Sequence, residues 1–207
     1  MVCIKNNKTN SIMNLFKKKQ NAPSAEPIDK NLAIPGITNV IKIFGNAQKK
    51  MEPDFIPIYF YVMDSKTGNS LCYLSTTFFA KINNHPKHPE HGFSIFFNKT
   101  ILEDNYDTFV NSNAAKVFAK EKGIIDSPGR LHERCEYYIK DFGYNAEEAS
   151  AVIAMLLDEV FKIKPENITL QIQLFGCDNE GGGEESNAEY DCEGNKIAQS
   201  GFNHELL

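Results

Sequence analysis

The sequence predicts an α+β fold, with an antiparallel-type four-stranded sheet, helices packed on one of its faces, and flexible tails. Two kinds of pattern support this prediction. Runs rich in β-branched and aromatic residues, separated by short polar turns, are typical of strands. Stretches with apolar residues three and four positions apart are typical of helices packed on a core. Along the chain the two patterns give the order α-β-β-β-α-α-α-β, which is an α+β order.

The first half of the chain supplies one helix and three strands. A helix is predicted in "IPGITNVIKIFGNAQKK", residues 34–50, where Ile37, Val40, Ile41 and Phe44 recur at helical spacing. Two β-rich runs, "DFIPIYFYVMD" and "LCYLSTTFFAKI", flank the turn "SKTGNS" and predict a hairpin. After a loop rich in histidine and proline, "GFSIFFNKT" predicts the third strand.

The second half supplies three helices and the last strand. Helices are predicted at residues 104–123 and 127–143, because apolar residues in both form a stripe at helical spacing. A third is predicted at 145–163, where Asn145 and Glu148 have the spacing of a capping box. The alternating run "ENITLQIQLFG" predicts the returning strand.

Charge and composition divide the chain into three parts. Residues 1–30 form a flexible basic leader, with six lysines against two acids and a net charge of +4. Residues 31–175 form a single globular domain with a net charge of −2. Residues 176–207 form an acidic, glycine-rich flexible extension with a net charge of −7, inside which "YDCEGNKI" predicts a small hairpin.

Several classes of function are disfavoured. A domain this close to neutral lacks the basic surface that binds nucleic acid. No apolar run approaches the roughly 18 residues of a membrane helix. Five cysteines without a CxxC pair indicate a reducing compartment, so we expect a cytoplasmic protein. Neither a G-x-S-x-G motif nor a Walker A loop is present, which favours a protein that is not an enzyme.

The segment "NNHPKHPEHG" is a candidate metal site. His85, His88 and His91 place three imidazoles within seven residues, and zinc commonly binds three or four such ligands. Pro86 and Pro89 exclude the helical geometry by which many zinc sites present two histidines. The hypothesis is a metal-binding regulator or a metal-dependent hydrolase with zinc as the cofactor. The alternative is a hydrated loop without any cofactor.

The segment "GRLHERCE" is a candidate anion site. It holds the chain's only two arginines, Arg130 and Arg134, one helical turn apart and beside His132. Guanidinium groups bind carboxylates and phosphates with two parallel hydrogen bonds. The alternative is a solvated helix face with exposed ion pairs, which contribute little energy.

The sheet itself is the third candidate. Aromatic residues exceed what a four-stranded sheet can bury under one layer of helices, and Tyr59, Tyr61, Tyr73 and Phe79 are the predicted partner-binding residues. The preferred hypothesis is a cytosolic, non-enzymatic module, such as an adaptor, a chaperone-like subunit or a toxin-neutralising partner. It would bind a protein partner or a second copy of itself. The alternative is that both sheet faces are buried within the monomer or a homodimer.

Overall fold

One antiparallel sheet of eight strands organises the computed structural model, which describes residues 27–51, 58–76, 92–123, 135–175 and 185–201. The spatial order of the strands is β4-β5-β3-β2-β1-β6-β7-β8, and every neighbouring pair is antiparallel. The strands are β1 (Ile58–Asp64), β2 (Ser70–Thr76), β3 (Phe93–Asn98), β4 (Ala119–Gly123), β5 (Cys135–Asp141), β6 (Ile168–Phe175), β7 (Glu185–Tyr190) and β8 (Lys196–Ser200).

Four helices accompany the sheet in these described ranges. They are α1 (Pro35–Met51), α2 (Lys99–Leu102), α3 (Tyr106–Val110) and α4 (Ala146–Leu156), and α4 continues as a π-helical turn over Leu157–Phe161. Short 3-10 turns lie at Lys30–Leu32, Glu103–Asn105, Ala114–Val117 and Pro165–Asn167.

The starts of α1 and α4 are specified by their local sequence. Pro35 occupies the first turn of α1, where its missing N–H costs no hydrogen bond. Asn145 caps α4, since its side chain accepts a hydrogen bond from the Glu148 N–H at 3.1 Å. Ser150 of α4 accepts from the Ile34 N–H and donates to the Ile34 carbonyl, which ties α4 to the residue before α1.

The helices cover one face of the sheet, which we call the inner face. Phe44 of α1 packs against Phe60 of β1 and Phe93 of β3, with ring centroids 5.9 and 5.7 Å apart. A second aromatic group joins Phe97 of β3 to Phe109 of α3 at 5.3 Å. These rings are at most 1% exposed, so the inner face holds the hydrophobic core.

The predicted four-stranded sheet is wrong, although the α+β class is correct and the predicted α1, β1–β2 hairpin, β3, α4 and β6 are present. The sheet has eight strands, because two predicted helices contain strands and two further strands lie after residue 175.

The helix predicted at 104–123 ends early and gives way to strand β4. Asn111 Nδ2 donates to the Asp107 carbonyl, and Ser112 Oγ donates to the Phe109 carbonyl. In a continuing helix these carbonyls would accept hydrogen bonds from backbone N–H groups further along the chain. The side-chain bonds replace those bonds and favour termination of the helix. The chain then turns through Ala114–Val117 into β4.

The helix predicted at 127–143 is wrong over its described part, because residues 135–141 form strand β5. The run "YYI" within β5 has a high β-propensity. Tyr138 contributes to the inner face, packing on Phe109 with centroids 5.0 Å apart. Ile139 has its side chain on the opposite face, level with Phe96 of β3. Apolar residues on both faces of β5 imitate a helical stripe in the sequence.

The expected flexible extension is wrong for its described residues, because β7 and β8 continue the sheet beyond β6. The hairpin predicted in "YDCEGNKI" is confirmed. Asp191 Oδ2 accepts a hydrogen bond from the Asn195 side chain, and Asp191 Oδ1 accepts from the backbone N–H groups of Asn195 and Glu193. These hydrogen bonds, of which that from the Asn195 side chain has the largest effect, lower the pKa of Asp191. The turn packs on α1, since a Cβ built on Gly36 would lie 2.1 Å from the Cys192 carbonyl oxygen.

Within the described part of the chain, no helix combines the length and apolar character needed to cross a membrane.

Candidate functional site

Tyrosines gather on the face of the sheet opposite α1 and α4, which we call the outer face. Strand residues alternate between faces, so the side chains of Phe60 and Val62 enter the core while those of Tyr59 and Tyr61 lie outside it. Tyr73 of β2 is paired with Tyr61 in the sheet register and has its side chain on the same face. The sheet therefore brings together three of the four aromatic residues predicted to bind a partner, and the fourth, Phe79, lies outside the described residues.

The three tyrosines form one cluster, which we call the tyrosine cluster. Ring centroids are 6.0 Å apart for Tyr59 and Tyr61, 6.2 Å for Tyr59 and Tyr73, and 5.8 Å for Tyr61 and Tyr73. These distances lie within the range at which aromatic pairs attract each other. Each tyrosine is half-buried. The cluster is thus a preformed aromatic surface.

Register extends this surface across neighbouring strands. Gln171 of β6 is paired with Tyr61, and Gln173 of β6 is paired with Tyr59. On the other side, Ser75 of β2 is paired with Ser94 of β3. Both serines are nearly fully buried beside the tyrosine cluster. Sequence reasoning missed these polar residues, since their place depends on which strands are neighbours.

The central strands β6, β1, β2 and β3 bear no charged side chain on the described outer face. Their outer-face residues include Tyr59, Tyr61, Met63, Tyr73, Ser75, Ser94, Phe96, Asn98, Thr169, Gln171 and Gln173. Carboxylates lie on the flanking strands, with Glu121 on β4, Asp141 on β5 and Glu189 on β7. The centre of the described outer face is therefore uncharged and rich in aromatic residues, and carboxylates lie at its margin.

Burial changes the acidity of the cluster. Burial, together with the neighbouring Tyr59 and Tyr61, raises the pKa of Tyr73 to about 12. Burial also raises the pKa of Tyr59. Near neutral pH these hydroxyls therefore keep their protons, so they donate and accept hydrogen bonds but do not act as bases. On the inner side of β2, burial raises the pKa of Cys72 to about 12, which makes that thiol a poor nucleophile.

The other two predicted sites lie outside the described residues. This applies to His85, His88 and His91 and to Arg130, His132 and Arg134, and both sites remain predictions. Among the residues that the structure does describe, no group of three or more His, Cys, Asp or Glu side chains is arranged to hold a metal ion.

A polar groove of about 520 Å³ was not predicted from the sequence. It lies between the β1–β2 turn and residues 101–105, and its carboxylates are Asp64, Glu103 and Asp104. Asp64 is already engaged, because it accepts hydrogen bonds from the Lys66 N–H and the Thr67 hydroxyl. These bonds, the Lys66 N–H first, lower the pKa of Asp64. Asp64 therefore stabilises the β1–β2 turn through these hydrogen bonds.

Comparison with known proteins gives no relative: no family model, no curated protein and no solved structure matches the chain.

Proposed function

We propose that this chain is a cytosolic, non-enzymatic protein-binding module that engages another protein chain through its outer face. The observation that carries the proposal is the tyrosine cluster of Tyr59, Tyr61 and Tyr73, preformed at centroid distances of 5.8 to 6.2 Å on an uncharged stretch of sheet.

The chemistry of the cluster supports binding. Tyrosine buries a large rigid area at a low cost in conformational entropy, and its hydroxyl satisfies a hydrogen bond at the edge of a contact. Because the three rings already pack on one another, little side-chain freedom remains to be lost when a partner docks. Each half-buried ring still exposes some apolar surface to water, and burial of that surface against a partner would favour binding.

The surroundings of the cluster fit the same role. Gln171 and Gln173 border it on β6, and Gln171 Nε2 is oriented by a 2.9 Å hydrogen bond to Glu189 Oε1. Hydrogen bonds from oriented amides are directional, so they can fix the orientation of a partner that aromatic contacts alone would leave variable. Raised pKa values at Tyr59 and Tyr73 disfavour a catalytic role for their hydroxyls at neutral pH.

The test places a photo-crosslinking residue on the outer face in living cells. Tyr61→p-benzoylphenylalanine replaces one aromatic side chain of the cluster by another, and Asn39→p-benzoylphenylalanine puts the same group on the exposed side of α1 as the matched control. We expect irradiation to give a discrete cross-linked protein species at position 61 and none at position 39. Equal cross-linking at the two positions, or none at position 61, would contradict the proposal.

A further inference from the structure

The polar groove beside the β1–β2 turn also has an apolar side. Five of the residues that line its volume of about 520 Å³ are apolar, namely Leu71, Ile101, Leu102, Phe161 and Ile163. Leu102 is buried, whereas the other four keep part of their surface exposed, and Ile101 is 38% exposed. Covering such surface with an apolar ligand group is favourable, so the groove can receive apolar side chains.

The groove also carries negative charge. Glu103 and Asp104 line it and are both exposed, and none of its lining residues is basic. Neither carboxylate forms an ion pair or a side-chain hydrogen bond with another residue that the structure describes. Unlike Asp64, which is held in the β1–β2 turn, these two carboxylates can pair with a cation that enters the groove.

Glu103 occupies a backbone conformation that favours glycine. The turn around it is fixed, because Asn98 Oδ1 accepts a 2.8 Å hydrogen bond from the Ile101 N–H and the Glu103 N–H donates to the Lys99 carbonyl. At Glu103, φ is 44° and ψ is −118°, values that residues with a side chain rarely adopt. Glycine would adopt them without strain. The chain thus keeps a carboxylate beside the groove at a position where glycine would cost less.

The basic leader of this chain has the complementary chemistry. Residues 13–19 read "MNLFKKK", in which two apolar side chains, Leu15 and Phe16, are followed directly by three lysines. The groove offers apolar surface and carboxylates close together, and the leader offers apolar groups and ammonium groups close together. Charge and polarity therefore match on both sides of this contact.

The leader joins the fold beside the helix that leads to the groove. The 3-10 turn at Lys30–Leu32 packs on α4, and Ile34 is hydrogen-bonded to Ser150 of α4. Phe161 of the groove lies eleven residues beyond Ser150, about 17 Å further along the helix. The eight residues from Lys19 to Pro27 extend up to about 26 Å, enough to span that length.

The connection within one chain makes weak contacts sufficient. A group tethered by a short linker has an effective concentration of about a millimolar. Exposed ion pairs contribute little energy each, but a contact that combines several of them with apolar burial can be populated at such a concentration.

We infer that the leader docks in the polar groove of its own chain. Leu15 and Phe16 cover the exposed apolar surface of the groove, and Lys17–Lys19 pair with Glu103 and Asp104. None of the three tyrosines of the outer face lines the groove, so this inference is independent of the proposed function.

The first test treats the full chain with a zero-length carbodiimide, which joins neighbouring carboxylates and lysines, and identifies the products by mass spectrometry. We expect Lys17, Lys18 or Lys19 to be joined to Glu103 or Asp104 within a single chain. Leader lysines joined evenly to carboxylates all over the surface would overturn the inference. Cross-links found only between two chains would also overturn it.

The second test measures the initial rate at which trypsin cleaves the full chain after Lys17–Lys19, since docking protects these sites. The double variant Glu103→Gln, Asp104→Asn removes both charges and should raise this rate about three- to tenfold. The matched control is Asp158→Asn, which removes an exposed carboxylate from a neighbouring groove of about 720 Å³ and should leave the rate unchanged. The opposite pattern would place the leader elsewhere and overturn the inference.

Two further variants separate docking from folding. Glu103→Gly relieves the backbone strain, so it should not lower the midpoint of thermal unfolding, yet it should speed cleavage. Phe16→Ser changes only the leader and should lower the yield of the cross-link, which decides the question if the groove variants do not fold. A cleavage rate or a cross-link yield that these variants leave at the wild-type value would overturn the inference.

Discussion

The two faces of the sheet use aromatic residues in opposite ways. On the inner face, Phe60 packs between Phe44 and the neighbouring strands and is fully buried. One residue further along β1, Tyr61 lies on the outer face, half-buried against Tyr59 and Tyr73. The Phe44 and Phe60 rings carry no polar atom, whereas every ring of the tyrosine cluster carries a hydroxyl. We propose that the inner rings stabilise the fold, whereas the outer rings serve a contact with another protein chain.

The largest expected effect contrasts adjacent residues of β1. Phe60→Ala removes a fully buried ring and leaves a cavity, so we expect it to lower the free energy of unfolding by about 3 to 5 kcal/mol. Tyr61→Ala removes a half-buried ring and should cost about 1 kcal/mol. Denaturant titrations at one dilute protein concentration measure both values. Similar losses for the two variants would show that the outer face contributes to the fold as the inner face does.

This contrast was only partly predictable from the sequence. Alternation along β1 is enough to place Tyr59 and Tyr61 on one face, and the hairpin with β2 was predicted from its short polar turn. Helix α4 was predictable because its cap and its apolar stripe agree. In each case the signal lies within one element or one hairpin.

Other elements depend on neighbours far away in the chain. Strand β7, "ESNAEY", has few strongly β-forming residues. It forms a strand because it pairs with β6 and buries Ala188 and Tyr190. Strand β5 has apolar residues on both faces, so its period is ambiguous. The placement of Gln171 and Gln173 beside the tyrosines requires β6 to pair with β1, which no local pattern specifies.

The second expected effect concerns the titration of the outer face. The pKa of Tyr73 is raised to about 12 in the folded chain, above the value of about 10 in the unfolded chain. The unfolded chain therefore loses this proton first as the pH rises. The contribution of Tyr73 to the free energy of unfolding is fully present below pH 10. It is lost between pH 10 and 12, by up to about 1.4 kcal/mol per pH unit. Tyr73→Phe should make the loss of stability across this window less steep.

The measurement is the free energy of unfolding at several pH values between 9 and 12. Tyr59→Phe is the matched control, because burial raises the pKa of Tyr59 to a smaller extent and its removal should change the slope less. An identical pH dependence for wild type and Tyr73→Phe would mean that Tyr73 is as hydrated as in the unfolded chain, and the outer face would then be less preformed than the ring distances imply.

The smallest expected effect tests how far the helix layer covers the inner face. Lys140 of β5 forms a 2.8 Å ion pair with Glu148 of α4, and both side chains are at most 24% exposed. We expect a double-mutant cycle with Lys140→Met and Glu148→Gln to give a coupling free energy of about 0.5 to 1 kcal/mol. This coupling requires β5 to be a strand whose Lys140 side chain lies on the inner face, as the pairing of Ile95 with Lys140 places it.

The control is a pair of the same chemistry in the open. Lys164 and Glu166 are 3.9 Å apart and at least 65% exposed, so the cycle of Lys164→Met and Glu166→Gln should give a coupling close to zero. If the Lys140–Glu148 cycle also gave no coupling, the contact between α4 and β5 would contribute nothing. If the coupling is measured, α4 contacts β5 on the inner face through this ion pair.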